Sequence, residues 1–313
     1  MENPPRVLSI QSHVVSGYVG NKSATFPLQL LGFDVDAINS VQFSNHTGYK
    51  LVKGQILTDK DLRELMEGLN TNNIDEYTHL LTGYVGATTF LEEIANILKY
   101  LKAKNKNLKY VCDPVMGDNG QMYVPKELLP IYKNTIIPLA DILVPNQFEV
   151  ELLTDRKIKT ITDAWDAINL LHDKGCGTVV LSSTELGAEE GVLLGLASTE
   201  KGTKRYTIEI PKLPCTFTGS GDLFASVFLG WSYKTNYDIK TSLEKTIATL
   251  QAVLKRTAGY VEGIFKKKHV GDSFNELNIF LVNGATPRNL ELKLIQSKND
   301  IENPQVIINA KCL

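Results

Sequence analysis

The chain has 313 residues, 43% hydrophobic and 22% charged, and its 33 basic and 35 acidic side chains leave a formal net charge of −2. A length of this order predicts one or two domains with a core that buries about 75% of the unfolded surface, and the composition excludes fibrous and disordered classes. The near balance of charge offers no general attraction to nucleic acid or to an anionic membrane, so neither is expected as a partner.

Apolar runs rich in β-branched residues alternate with helical patterns from the start. RVLSIQ reads as a strand, residues 20–31 as a helix and FDVDAINSV as the next strand. YTHLLTGY (strand), FLEEIANILKYLKAK (amphipathic helix), KYVCDPV (strand) and ADILVPN (strand) continue the series. After the helix DAWDAINLLHDKG, closed by a glycine, comes the buried strand TVVLSST. EGVLLGLAST and TKRYTIEI, joined by a short polar connection, read as an antiparallel pair at a sheet edge. Residues 243–262 have helical periodicity, and the tail NLELKLIQSKNDIENPQVIINAKCL is expected to pack back as strand and turn. The alternation predicts an α/β fold, a mostly parallel sheet with helices on both faces. No repeat, low-complexity stretch or Pro/Gly/Ser-rich linker interrupts residues 1–313, so one continuous domain is expected.

The N-terminus, MENPPRVLSIQSH, has no basic stretch followed by a long apolar run, and no window approaches a membrane span of about 20 residues. A cytoplasmic protein is the expectation. Cys112, Cys176, Cys215 and Cys312 stand singly without C-x-x-C spacing, as reduced thiols would. The five histidines show no metal-binding spacing, which argues against structural zinc. Lys266-Lys267-Lys268-His269 reads as a solvated loop, with a small docking patch as the alternative.

Ligands of a parallel α/β sheet gather outside the carboxyl ends of the strands. Four such ends carry polar residues. In TFTGSGDLFASVFLGW, Gly219 and Gly221 let backbone amides approach an anion, and the following helix adds unsatisfied N–H groups and the positive end of its dipole. The same dipole favours an ionised Asp222, whose pKa is expected at or below the ordinary carboxylate value, ready to accept a proton. A base beside a phosphate cradle suits phosphoryl transfer to a hydroxyl, while a glycine turn with an aspartate cap is the plainer alternative.

In CDPVMGD, Asp113 and Asp118 share one loop and could hold Mg2+, or simply form an Asp/Pro/Gly turn. In VPNQFEVELL, Asn146 and Glu149 have capping-box spacing, and could also orient water around Mg2+. SHVVSGYVGNKSAT resembles a Walker A loop only superficially, because Gly17 and Gly20 enclose two residues and Asn21 precedes Lys22. A P-loop is therefore rejected, leaving a hydroxyl-bearing loop with Ser12, His13 and Ser16 suited to a small polar ligand. His13 alone reads as structural.

Taken together, SIQSHVVSGYVGNKSATFPLQLLGF, NSVQFSNHTGY, LLTGYVG, VCDPVMGD, MYVP, VPNQFEVELL and TGSGDLFA closely resemble the pyridoxal kinases of the ribokinase-like superfamily. The tail LELKLIQSKNDIENP resembles their eukaryotic members, so the likeness runs nearly end to end. It implies a ribokinase-like three-layer sandwich and ATP-dependent phosphorylation of the 5′-hydroxymethyl group of pyridoxal, pyridoxine or pyridoxamine by a homodimer. Asp222 would be the base, and Gly219, Ser220 and Gly221 would cradle the γ-phosphate. Ser12 and Thr47 would hydrogen-bond the pyridine substituents, Val19 and Tyr84 would wall the ring, and Tyr123 falls on the mobile loop. Asn146, Ser182, Ser183, Leu213, Pro214 and Cys215 would line the nucleotide site.

Asp118 would hold Mg2+, or Zn2+ in its place, with ATP, and Glu149 would support it through water. Asp113 and Ser182 match positions for a monovalent cation, K+ or Na+. The family pattern is broken at Val144, where many relatives have threonine. Any cation contact there must use a backbone carbonyl. The loop NGQ after Asp118 and residues 184–205 are short, which leads to the expectation of a less complete lid. Related kinases for hydroxymethylpyrimidine, a sugar or a nucleoside, and a non-catalytic vitamer-binding protein, are the alternatives.

Overall fold

The computed structural model describes residues 4–118, 120–268 and 285–313. In chain order the elements are β1 (Arg6–Val14), α1 (Asn21–Leu30), β2 (Asp34–Phe43), β3 (Gly54–Ile56), α2 (Asp59–Thr71), β4 (His79–Thr82), α3 (Thr88–Lys104) and β5 (Lys109–Cys112). There follow β6 (Gly117–Asp118), β7 (Gln121–Met122), α4 (Leu128–Ile131), β8 (Ile142–Leu143), α5 (Gln147–Thr154), α6 (Ile161–Asp173) and β9 (Thr178–Thr184). The chain ends with β10 (Val192–Thr199), β11 (Lys204–Pro211), α7 (Ser220–Lys234), α8 (Ile239–Lys268), a short helix at Lys298–Glu302 and β12 (Lys311–Cys312).

Ten strands form one sheet in the order β12-β11-β10-β9-β8-β5-β4-β1-β2-β3. The pairs from β2 through β1, β4, β5 and β8 to β9 are parallel. β10 and β11 form the expected antiparallel pair, Val192 opposite Pro211 and Thr199 opposite Lys204. Alternation along each central strand feeds two cores. Leu8, Ile10, Leu80, Tyr110, Val179 and Leu181 point to one face, where they meet Leu62, Phe90, Ile94 and Ile168 of α2, α3 and α6. Val7, Leu81, Val111 and Val180 point to the other, against Leu28, Phe224, Phe228, Leu243 and Ile247 of α1, α7 and α8. Strands apolar on both sides fold stably only when both faces are covered, which is why this is a three-layer sandwich.

Capping boxes start three helices, with Thr58 and Asp61 at α2, Asn146 and Glu149 at α5, and Thr160 and Asp163 at α6. The four cysteines are all free thiols. Among the described residues no helix is long and apolar enough to cross a membrane.

Three details depart from the sequence reading. The run ADILVPN contains only a two-residue strand, because Val144 donates to Cys112 O at 2.9 Å and the chain then turns at Pro145 into the α5 cap. The tail forms a one-turn helix at Lys298–Glu302 before its last strand, packed on α1 and α8 with Ile301 buried in their core. The backbone of Lys266, Lys267 and Lys268 continues α8 where a loop was expected, while their side chains and His269 lie outside the described residues.

Chain order places β2 on one side of β1 and β4, β5, β8 and β9 successively on the other. The connection therefore reverses at β1, and the crevice at its carboxyl end is where such a sheet binds ligands.

Candidate active site

A cleft of about 490 Å3 opens at that switch point, along the carboxyl ends of β1, β4, β5, β8 and β9. Ser12 comes from β1, Tyr84 follows β4, Asp113 follows β5, Val144 and Asn146 follow β8, and Ser182 lies near the end of β9. The turn into α7 supplies Gly219, Ser220, Gly221 and Asp222, and Val19, Thr47, Asp118, Tyr123 and Glu149 complete the predicted set. Residues drawn from most of the chain thus meet in one crevice. Ser183, Leu213, Pro214 and Cys215 do not line it. Ser183 follows Ser182 on a strand whose side chains alternate faces, Leu213 packs on the α7 and α8 core, and Cys215 packs near Val261.

Gly219 caps α7 with φ +84°, in the left-handed region, and a Cβ there would collide with the Tyr18 carbonyl. No other residue type fits without moving the loop. Ser23 of α1 donates to the Gly219 carbonyl at 3.1 Å, and Ser220 donates to Phe217 O at 3.1 Å, so the turn is braced from both sides. Behind it the first-turn N–H groups of a 15-residue helix face the cleft end, an arrangement suited to an anion.

Asp222 is the third residue of α7 and is half-buried at the cleft wall. The expectation of an unshifted or lowered pKa is incorrect. Desolvation by the surrounding protein raises it to about 6, against a hydrogen bond from the Gly20 backbone N–H that favours the anion. Burial disfavours the charged form, and it outweighs the Gly20 N–H that favours it.

Asp113 is only 6% exposed, and burial, then the charges of Glu149 and Asp222, push its carboxyl well above the ordinary range. The Glu149 carboxyl is likewise raised to about 8, mainly by burial and also by Asp118, although three backbone N–H groups oppose the shift. Glu149 accepts from Met116 N and Asn146 N, each at 2.9 Å, while Asn146 donates to Gly117 O at 2.8 Å. The capping box therefore also clamps the loop carrying Asp118. The same pair caps α5 and lines the cleft.

Four carboxyl groups line the cleft and, among the described residues, no lysine or arginine does. Lys22, the residue that suggested a P-loop, instead donates to Val15 O at 2.5 Å and lies over the Tyr18 ring. Among the described residues no three His, Cys, Asp or Glu side chains converge into a metal cage. Such a donor set suits a hydrated divalent ion held by one or two carboxylates and by phosphate oxygens, and not a closed zinc site.

Val14, Val41, Phe43, His46 and Phe224 also line the cleft and were not singled out in the sequence. Phe43 and His46 lie within the quoted NSVQFSNHTGY motif, at and beyond the carboxyl end of β2, where the strand-end rule would have found them. Ser40 donates to Tyr84 O at 2.9 Å, fixing the aromatic wall.

This fold and cleft define a ribokinase-like small-molecule kinase. A sequence model of the phosphomethylpyrimidine kinase family matches residues 49–267. Pyridoxal kinase from Homo sapiens is 45% identical over 326 residues, covering 100% of both chains. The enzyme of that name from Arabidopsis thaliana is 47% identical over 310 residues, covering 98% of this chain and 94% of its own. Pyridoxal kinase from Leishmania donovani, solved in complex with ADP and pyridoxine, superposes with a TM-score of 0.86 at 33% identity, covering 98% of this chain and 99% of that one. The chain belongs to the pyridoxal kinase family.

Proposed function

We propose that this chain transfers the γ-phosphate of ATP to the 5′-hydroxymethyl group of pyridoxal and its vitamers, with Asp222 as the base. The observation that carries the reading is the position of Asp222 at the first turn of α7, beside the left-handed Gly219 and on the wall of the cleft of about 490 Å3. A carboxylate with a pKa of about 6 is mostly ionised at neutral pH, yet basic enough to accept the proton as the hydroxyl attacks. The hydroxyl oxygen bonds to the γ-phosphorus, the bond to the β–γ bridging oxygen breaks, and ADP leaves. The N–H groups around Ser220 and Gly221 receive charge that spreads over the transferring oxygens. Val19, Phe43 and Tyr84 supply flat apolar walls for a pyridine ring, with Ser12 and Thr47 at its polar edge.

Mg2+, or Zn2+ in its place, would be held by Asp118 with Glu149 behind it, neutralising the phosphates in a cleft that no lysine or arginine among the described residues lines. Asp113 and Ser182 would hold K+ or Na+, whose charge would relieve the buried carboxylate of Asp113. The reading extends to one kinase domain built on a sheet that draws strands from Arg6 to Cys312, acting in the cytoplasm as a homodimer. The family match at residues 49–267 favours a second reading, in which hydroxymethylpyrimidine is the acceptor. Measuring ADP release with pyridoxal, hydroxymethylpyrimidine, ribose and adenosine, each with ATP and Mg2+, decides between them. Pyridoxal is expected to give the highest kcat/KM, and preference for any other acceptor overturns the assignment.

A further inference from the structure

Glu291 reaches the acceptor wall from the far end of the chain. Its side chain is 11% exposed and does not line the cleft itself. Oε2 accepts the backbone N–H of Tyr18 at 3.0 Å. Oε1 accepts the Tyr49 hydroxyl at 3.0 Å and lies 3.4 Å from His46 Nε2. The Gly48 N–H donates to His46 Nδ1 at 3.1 Å, so that nitrogen is the acceptor and the ring proton lies on Nε2, facing Glu291. The His46 and Tyr49 rings meet edge to face at 4.8 Å. Gly17, at φ +96°, leaves no room for a Cβ because the Glu291 carboxylate occupies its place.

Both segments held in this way carry acceptor-wall residues. Tyr18 precedes Val19, and His46 precedes Thr47; Val19, His46 and Thr47 line the cleft. The three donors that meet at Glu291 come from two separate loops. A carboxylate is acceptor-only at both oxygens, whereas an amide in its place would turn an N–H against one of those donors. Burial pushes the Glu291 carboxyl up, but hydrogen bonds from His46, Tyr49 and Tyr18 outweigh it and hold the pKa below the ordinary value.

We propose that Glu291 is a positioning residue for the phosphoryl acceptor, fixing the Tyr18–Val19 and His46–Thr47 segments relative to each other so that the ring pocket depends on the C-terminal part of the chain. The inference rests on the vitamer kinase reading above and adds to it a determinant of acceptor affinity outside the cleft. The groups that meet its carboxylate belong to the two loops of the acceptor wall, and its link to the α7 turn is indirect, through the Tyr18 carbonyl that packs on Gly219.

The test is steady-state kinetics on the full chain and on Glu291→Gln, Tyr49→Phe and the double variant, with melting temperatures alongside. Glu291→Gln is expected to raise the KM for pyridoxal about ten-fold, the scale of one charge-assisted hydrogen bond, with the KM for ATP within about two-fold. The double variant is expected to be no worse than Glu291→Gln, because Tyr49 acts through the same carboxylate. An unchanged pyridoxal KM in Glu291→Gln, or a parallel loss in both KM values and kcat that follows a drop in melting temperature, overturns the role. Absence of pyridoxal turnover in the unsubstituted chain overturns the vitamer reading and this inference with it. Normal turnover there with an unaffected Glu291→Gln overturns the inference alone.

Discussion

The backbone N–H of Gly20 favours the anion of Asp222, coupling the loop before α1 to the first turn of α7. Val19, next to Gly20, lines the acceptor side of the cleft, and Gly219 packs against the carbonyl of Tyr18. One loop therefore both walls the acceptor and aims the proposed base. A carboxylate in this position must be ionised to take the proton, and its pKa stands at about 6. The rate of pyridoxal phosphorylation is expected to fall as pH drops through about 6, read as an acid limb in kcat against pH.

The same shift acts on stability with the opposite preference. Because the folded pKa is raised above the unfolded one, the protonated carboxyl stabilises the fold at low pH, and that contribution is lost as pH rises through about 6. Asp222→Asn, which keeps shape without charge, is expected to melt higher than the unsubstituted chain at about pH 8, the gap narrowing toward about pH 5. Melting curves at the two pH values check this. A variant that melts lower at the higher pH removes desolvation as the cause of the shift.

At Gly219 the backbone has φ +84° and no space for a Cβ beside Tyr18 O. Gly219→Ala is expected to cost about 1–2 kcal/mol from left-handed strain alone, and to displace the N–H groups that would face the phosphate. Urea denaturation gives the first quantity. The KM for ATP and kcat give the second, with a loss of about ten-fold or more in kcat/KM expected.

Glu149 gathers the N–H groups of Asn146 and Met116 on one carboxyl group. Glu149→Ala leaves them without their acceptor and is expected to cost about 1–3 kcal/mol while loosening the loop of Asp118. Denaturation midpoints together with the KM for ATP at fixed Mg2+ report both effects. A variant that keeps the stability and nucleotide affinity of the parent contradicts the clamp.

With four carboxyl groups and, among the described residues, no lysine or arginine along the cleft, the triphosphate is expected to depend on added cations. Chelation with EDTA is expected to reduce turnover to background and excess Mg2+ to restore it, as followed by ADP release. Turnover that survives chelation contradicts the assignment of Asp118 and Glu149.

The layered fold was legible because its signal is periodic. TVVLSST gives β9, Thr178–Thr184, end to end, and the two runs after it give the antiparallel edge. What escaped was set by distance or by burial. β3 and the two-residue strands β6 and β7 are too short for any period to register. The direction of the Asp222 shift needed the protein packed around it, which a helix start in the sequence does not reveal. Glu291 bonds Tyr18 across 273 positions, and no local pattern links them. Asn146 and Glu149 were visible as a cap, but the hydrogen bonds that carry them into the Asp118 loop belong to tertiary structure.

The most direct test concerns Asp222 itself. With pyridoxal and ATP saturating and Mg2+ present, Asp222→Asn is expected to lower kcat by about 10^2 to 10^4 while the chain remains folded. A kcat within a few-fold of the parent would contradict the assignment of this carboxylate as the proton acceptor.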